Sequence, residues 1–334
     1  MARKKANKDE LEEVEEVEEV EDLFNRKEEP LRYISTGVTL MDCALGGGYP
    51  LGRVTNLVGD SSTGKTLLAG EASINFFKEY EDGNCYYKEA EAAYDFEYAR
   101  RLKVPVDKID FVEGINTVEA LFDKMHEITK DVKVPQLSII DSLDALQATE
   151  AQKEDKKAVG GYIQAQRAKL IGEYLRKVLR PLAESGTHFL IVSQIRQKLD
   201  VIFGKTQTRN GGKALQFYSS QVIWLNFIKA ISRTYRGQKH KVGNEVQVEI
   251  TKNKVGMAYA KFNIDVIPEH GVDDITSNIK WLKKYKYLKT PRVLAFADDL
   301  RERKDVEGIQ QIKDMTIEKW EEVKQAIGCS YSKY

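Results

Sequence analysis

Residues Gly59-Asp-Ser-Ser-Thr-Gly-Lys-Thr66 satisfy every fixed position of the phosphate-binding pattern G-x-x-x-x-G-K-[ST]. The chemistry this spacing serves is the capture of a polyphosphate. Backbone N–H groups across Gly59, Asp60, Ser61, Ser62, Thr63 and Gly64, together with a helix N-terminus, converge on one anion. Lys65 adds a point charge at the β- and γ-phosphates, and the Thr66 hydroxyl ligates Mg²⁺. A glycine-rich turn could match by chance, but the flanks argue against that. Residues 54–58 read as a buried strand leading in, and 67–77 as a helix leading out.

Three further strand ends carry groups suited to such a site. The apolar run 137–140 ends in Asp141, a carboxylate placed to hold Mg²⁺ through water. Glu89 and Glu91 follow the strand 84–88. A carboxylate at the C-terminal end of a neighbouring parallel strand faces the ligand crevice and can polarise the water that attacks a γ-phosphate. Only one of the two can point there, and a solvated acidic turn is the competing explanation. Gln194 closes the strand 188–193 with a neutral amide that can hydrogen-bond a γ-phosphate and report its loss. Beyond it lies the long, basic, glycine-terminated stretch 195–212. There Arg196, Lys198, Lys205 and Arg209 suit phosphates, while Leu199, Ile202 and Phe203 suit contacts with bases. Loops of this length are usually functional or disordered.

The elements that must position these groups follow an α/β pattern from about Arg32 to Pro268. Strands are expected at 54–59, 84–88, 137–141, 188–193, 221–228, 245–252 and 259–266, and helices at 66–80, 94–102, 117–130 and 162–184. Alternation of the first four strands with helices implies a largely parallel sheet covered on both faces. The later strands follow one another directly, so the sheet is expected to finish antiparallel. From 271 to 334 the chain turns Lys-rich and then helical. It is expected to form a small separate domain, with Thr316 as a helix N-cap, Trp320, Val323 and Ile327 as an apolar stripe, and Gly328 as the stop. Lys280, Lys283, Lys284, Lys286 and Lys289 form either a solvated face or a gateway for duplex DNA.

The chain has 334 residues, 42% of them hydrophobic, which suits one large core plus a smaller domain. It carries 52 basic and 52 acidic residues, unevenly placed: residues 1–30 hold 12 acids and 6 bases. An acidic arm on a mildly basic body suits a polyanionic partner. Within the arm, apolar residues recur every third position from Leu11 to Val20. That period slips around a helix, leaving two readings: an extended tail, or a short helix docking on another subunit through Val17, Val20 and Phe24. No apolar run is long enough to span a membrane, and no signal-peptide core follows the basic start. Three scattered cysteines exclude a disulfide framework and point to a reducing, cytoplasmic setting. Four dispersed histidines give no zinc pattern.

Taken together, these blocks resemble the bacterial RecA recombinase family, phage members included, from about Ile34 to Val266. Residues 34–37 and 40–46 resemble the family's segment before the phosphate loop. The block from Cys85 to Arg100 resembles the one bearing its catalytic glutamate. The resemblance implies that Glu91, rather than Glu89, activates water, and that Asp95 and Tyr98 flank the adenine, with Tyr98 stacking on it. The most specific likeness is residues 194–198, 203–204 and 211–218, similar to the second DNA-binding loop and the helix after it. It implies DNA contacts from Arg196, Lys198, Leu199, Phe203, Lys205, Thr208, Arg209, Gly211, Gly212 and Lys213. Phe217 resembles the aromatic that passes the ATP state to the adjacent subunit. Lys252 and Lys254 resemble the lysine pair that reaches the neighbour's ATP, in the manner of an arginine finger. Two departures stand out. The stretch 152–162, where a first DNA loop belongs, differs in pattern and length, so Arg167 and Arg176 on the following helix are expected to contact DNA instead. The acidic repeat also replaces the family's N-terminal polymerisation helix.

The resemblance implies a RecA-like P-loop ATPase core at 31–270 with a mostly parallel sheet, an acidic arm at 1–30 and a small α-rich C-terminal domain at 271–334. It implies an ATP- and Mg²⁺-dependent, DNA-stimulated ATPase of the cytoplasm of a bacterium or phage-infected cell. Such a protein forms helical homopolymers on single-stranded DNA and exchanges strands with homologous duplex DNA. A hexameric helicase on a related core, a non-catalytic recombination mediator and a small-molecule P-loop kinase are the rival readings. The kinase lacks an identifiable acceptor pocket and lid, and retention of Lys65, Thr66, Glu91 and Asp141 speaks against the mediator.

Overall fold

The computed structural model describes residues 30–130, 132–146, 160–197, 207–209 and 212–328. The short strands β1 (Tyr33–Ile34) and β2 (Tyr49–Pro50) pair antiparallel around helix α1 (Thr39–Leu45). Strand β3 (Val54–Gly59) follows, then α2 (Lys65–Glu79), β4 (Asn84–Glu89), α3 (Phe96–Arg101), β5 (Ile109–Phe111), α4 (Val118–Ile128) and β6 (Gln136–Asp141). After α5 (Gly160–Ser185) come β7 (Thr187–Gln197), β8 (Gln207–Arg209) and α6 (Gly212–Tyr218). The long strands β9 (Gln221–Tyr235) and β10 (Gln238–Asn253) lead to β11 (Lys261–Ile267) and β12 (Gly271–Asp273). Helices α7 (Asp274–Lys284), α8 (Val293–Glu302) and α9 (Val306–Ile327) finish the described chain.

The main sheet runs β5-β4-β6-β7-β3-β9-β10-β11-β12. It is parallel from β5 to β9 and antiparallel from there on, as the element order implied. Successive residues of β7 explain why both faces are covered. Leu190 and Val192 join the core formed with Leu68, Ala72 and Phe76 of α2, whereas Phe189 and Ile191 join Phe122 of α4 and Leu175 and Val178 of α5. A strand flanked by helices on both faces is buried at every position, and β3 is buried throughout, its polar Thr55 and Asn56 hydrogen-bonded to Gln221 and Ser193. Helix α4 shows the complementary pattern. Thr117 caps it by accepting from the Ala120 N–H, and Val118, Leu121, Phe122 and Met125 form its inward stripe.

Four findings refine the expected elements. First, β9 and β10 extend well past their expected ends as a hairpin, closed at Arg236 (φ 48°) and Gly237 (φ 80°) with Tyr235 paired to Gln238. Two consecutive positive φ values are those of a tight hairpin turn, for which Gly237 supplies the freedom. Second, β1, α1, β2, β5, β8, β12, α7 and α8 are additional elements. Third, the described residues from Tyr33 onward form one compact unit, with no break in the core at 271. Trp320 of α9 lies against Phe262 of β11 (5.8 Å between ring centroids) and Trp281 of α7 (5.5 Å), and Asp274 accepts from the Thr39 N–H and hydroxyl, both at 2.8 Å. Fourth, Thr316 is not an N-cap. Asp305 caps α9 by accepting from the Gly308 N–H, while the buried Thr316 hydroxyl donates back to the Ile312 carbonyl at 2.7 Å. Trp320 is buried as expected and Gly328 ends the helix, but Ile327 is exposed.

Candidate active site

The crevice lies at the C-terminal ends of the parallel strands, where such sheets bind ligands. Register alone gathers the residues: Gly59 of β3 lies beside Gln194 of β7, and Glu89 of β4 beside Asp141 of β6. The phosphate loop spans the end of β3 and the start of α2. A Cβ on Gly59 would come within 2.6 Å of the Thr63 hydroxyl and 2.9 Å of the Leu225 carbonyl oxygen. Gly64 has φ +89°, and a side chain there would meet Val266 at 2.9 Å. Both glycines are therefore required by close approach, and Gly64 by its dihedral as well. Ser62 also takes a positive φ, 60°, and its carbonyl accepts from Asn244 Nδ2 at 2.9 Å. Asp60 organises the loop: its carboxylate accepts from the Ser61 N–H at 2.8 Å, and its carbonyl accepts from the Thr63 hydroxyl at 2.8 Å and Lys65 Nζ at 2.7 Å.

Lys65 is buried, and desolvation pulls its ammonium pKa down; Asp141, Asp60, Glu91 and Asp144 push it back up. An anion in the loop would compensate the same charge. Asp141 is also buried, and burial raises its carboxyl pKa, against the Thr66 and Tyr87 hydroxyls that donate to its Oδ2 at 2.7 and 3.0 Å. The pairing of Thr66 Oγ1 with a carboxylate at the foot of a phosphate loop is a hard-oxygen donor set that fits Mg²⁺ shared with a triphosphate. Among the described residues no cluster of three or more His, Cys, Asp or Glu forms a separate metal centre.

The two candidate glutamates have different partners. Glu89 Oε1 turns back and accepts from the backbone N–H groups of Glu91 (2.8 Å) and Ala93 (3.3 Å), fixing the turn after β4. Glu91 faces the crevice, where its Oε1 accepts from Ser142 Oγ at 2.8 Å and from Gln194 Nε2 at 2.7 Å. The carboxylate and the amide singled out from sequence thus meet directly. Asp95 and Tyr98 line one pocket of about 200 Å³ with Tyr94, Ile74, Leu102 and Gly271. Asp95 caps α3 through the Tyr98 N–H (2.9 Å), and the Tyr98 hydroxyl donates to the Pro268 carbonyl at 2.5 Å. Apolar walls with a few polar groups suit a planar heterocycle.

Lys252 and Lys254 lie elsewhere. Lys252 pairs with Val222, which pairs with Asn56, three residues before Gly59. At about 3.3 Å per residue that is roughly 10 Å down the sheet from the phosphate loop of the same chain. Lys252 Nζ donates to the carbonyls of Gln216 (2.8 Å) and Phe217 (2.6 Å) at the end of α6, and it sits 6.0 Å from the Phe217 ring. Phe217 is 70% exposed, and Lys254 is exposed.

The candidate nucleic-acid residues are placed unevenly. Arg176 is exposed on α5. Arg167 needs correction. Its guanidinium is folded into the turn after β6, donating to the carbonyls of Leu143 and Asp144 (3.2 Å for the latter), with the Asp144 carboxylate at 3.7 Å and its side chain only 12% exposed. The cause is Asp144, which the sequence reading did not single out. The backbone of the segment after Gln194 begins as a ribbon, with Arg196 opposite Thr208 and Ile195 opposite Arg209. Gly212 opens α6. Lys198, Leu199, Phe203, Lys205 and Gly211, and the side chains of Arg196, Thr208, Arg209 and Lys213, lie outside the described residues, as do the first-loop stretch 152–159 and the arm at 1–29. The sequence reading also missed the hairpin of β9 and β10. Residues 227–243 hold Lys229, Arg233, Arg236, Lys239, His240 and Lys241 without one carboxylate, a charge signal visible in the sequence. Phe227 and Tyr235 are exposed on it.

Comparison with known proteins bears on the family and the fold. The family model described as the RecA N-terminal domain matches residues 5–273. Protein RecA of Streptomyces venezuelae is 33% identical over 249 residues, covering 74% of this chain and 63% of that protein. Protein RecA of Cutibacterium acnes is 32% identical over 240 residues, covering 72% and 66%. The chain thus spans slightly less than two thirds of the length of these relatives. A crystal structure of the RadB recombinase superposes with a TM-score of 0.51 at 15% identity, over 72% of this chain and 99% of that one, which is a likeness of fold. No helix among the described residues is long and apolar enough to cross a membrane.

Proposed function

Because the chain belongs to the RecA family, we propose that it is an ATP-dependent recombinase that polymerises on single-stranded DNA and exchanges strands with a homologous duplex. The observation that carries this reading is the 2.7 Å hydrogen bond from Gln194 Nε2 to Glu91 Oε1. It ties the group suited to activating water to the residue from which the basic segment departs.

In this reading residues 59–66 cradle the triphosphate, and Tyr98 and Asp95 hold the adenine. Thr66 and Asp141 would hold Mg²⁺, which would supply charge neutralisation for the triphosphate. While Oε1 accepts from both Ser142 and Gln194, those donors stabilise the carboxylate and make Glu91 a weaker base. When the Gln194 amide turns to the γ-phosphate, Glu91 loses one donor and can orient a water and take its proton. The same turn resets the start of the basic segment, so that nucleotide state and DNA grip change together. After hydrolysis Gln194 returns to Glu91 and the grip relaxes.

Lys252 and Lys254 act on the triphosphate of an adjacent protomer, a role supported by their distance from the loop of their own chain. Phe217, exposed beside Lys252, meets that same neighbour. Arg176, the segment after Gln194 and the basic hairpin supply phosphate contacts. An arm at 1–30, an ATPase core with the C-terminal helices packed onto it, and a place in the bacterial or phage-infected cytoplasm, complete the proposal. Electron microscopy with single-stranded DNA tests it. Helical fibres that need ATP or a non-hydrolysable analogue are expected. Closed rings would favour a hexameric translocase, and isolated protomers a mediator.

A further inference from the structure

The side chain that leaves the expected DNA surface, Arg167, belongs to a chain of contacts reaching the catalytic carboxylate. Its guanidinium holds the turn at 143–144 through both carbonyls and the Asp144 carboxylate. Asp144 Oδ2 in turn accepts from the backbone N–H of Gln194 at 2.6 Å. Gln194 is therefore fastened at two points, its backbone to Asp144 and its amide to Glu91. The Asp144 and Arg167 side chains are only 7% and 12% exposed, so the charged contact is shielded from solvent. Within the site these contacts link α5 to the turn after β6, and that turn to β7.

A backbone pin has a definite consequence for a side-chain switch. With the Gln194 N–H pinned to Asp144, any backbone adjustment that accompanies the turn of its amide is confined to the C-terminal side of residue 194, where the basic segment begins. With the N–H released, the adjustment can spread back into β7 and less of it reaches that segment. We propose that Asp144 and Arg167 are positioning residues that convert the turn of the Gln194 amide into the coupling between nucleotide and single-stranded DNA. The inference rests on the recombinase reading above. It assigns Arg167 a role distinct from direct contact with phosphate.

Linkage gives the test. If a nucleotide analogue tightens DNA binding by a factor α, DNA tightens binding of the analogue by the same factor, and typical couplings run from about 5 to about 150. The full chain would be titrated with a fluorescein-labelled oligonucleotide, with and without a non-hydrolysable ATP analogue and Mg²⁺. Asp144→Ala, Arg167→Ala, the double variant and the similarly shaped Asp144→Leu, which has no acceptor for the Gln194 N–H, would be compared, with thermal melts confirming folding. In each variant α is expected to fall to within about twofold of unity, and the double variant to match the single ones. Nucleotide affinity without DNA should stay within about twofold of wild type. A direct phosphate contact gives a different pattern: Arg167→Ala weakens DNA binding equally with and without nucleotide, and Asp144→Ala leaves α unchanged or strengthens binding. That pattern, or Asp144→Leu retaining the wild-type α, overturns the inference. Should the alanine variants fail to fold, Asp144→Leu alone decides. If the wild-type chain itself shows α near unity, the recombinase reading has failed, an outcome distinct from loss of α in the variants alone.

Discussion

A mixing experiment bears most directly on the placement of Lys252 and Lys254. Register puts Lys252 roughly 10 Å along the sheet from Gly59, and its Nζ is engaged by the carbonyls of Gln216 and Phe217. A complete hydrolytic site then needs Lys65 from one protomer and the lysine pair from the next. Lys65→Ala protein lacks the first, and Lys252→Ala/Lys254→Ala protein the second. Each alone should lose DNA-stimulated ATP hydrolysis by roughly 10³-fold or more, the scale for removal of a cross-interface cation. Co-assembled at random in equal amounts, a site is complete only when a double-variant protomer faces a Lys65→Ala protomer on the appropriate side. For a head-to-tail interface that is about one site in four. Steady-state hydrolysis by the mixture should reach about a quarter of the wild-type rate per protomer, with co-sedimentation verifying that both variants share the assembly. A co-assembled mixture no more active than either variant alone would refute the trans arrangement.

Three other outcomes are expected. Glu91→Gln should retain ATP and DNA binding but slow hydrolysis by at least ~10²-fold, trapping stable DNA complexes that a filter-binding chase would detect; wild-type turnover would place the base elsewhere. Arg196→Ala with Lys198→Ala should lower the slope of log affinity against log salt for single-stranded DNA by roughly 1.4, as for the loss of two phosphate contacts; an unaltered slope would take these residues off the strand. His188 gives a pH signature. It is fully buried, with Nδ1 2.7 Å from the Pro50 carbonyl and its ring stacked on Tyr49, and burial lowers its pKa from 6.5 to about 4. The folded state therefore binds the proton less readily than the unfolded chain. This contribution is complete above pH 6.5 and is lost as pH falls toward 4, by about 2 kcal/mol between pH 7 and pH 5. Urea unfolding of wild type and His188→Gln at both pH values should differ by that amount in pH sensitivity; parallel losses would show that His188 is not the group responsible.

The parts of this site that could be read from the sequence share a reason. A phosphate loop must follow a buried strand and open a helix, and polar residues ending apolar runs must gather at one edge of a parallel sheet. Gly59, Asp141 and Gln194 are such positions. The choice between Glu89 and Glu91 needed more, because both follow the same strand. It came from the family resemblance, and the structure supplies its physical basis: the Glu89 carboxylate is spent on the backbone of its own turn. Asp144 and Ser142 were hidden because they sit in a short turn without periodicity, and their partners lie 50 or 51 residues away. Arg167 was misplaced for the same reason, since a basic residue on an amphipathic helix gives no hint of a buried carboxylate across the fold. In the C-terminal part, the apolar stripe of α9 suggested an independent helical domain. Its partner Phe262 lies on β11, so the stripe serves the core of the sheet.

The account stands on nucleotide control of strand binding. The direct measurement is the fluorescence anisotropy of a labelled single-stranded oligonucleotide titrated with the full chain in Mg²⁺, with no nucleotide, with ADP and with a non-hydrolysable ATP analogue. Tight binding with the analogue, weakened at least fivefold with ADP or no nucleotide, is the expected result. Equal affinity in all three conditions would contradict the account.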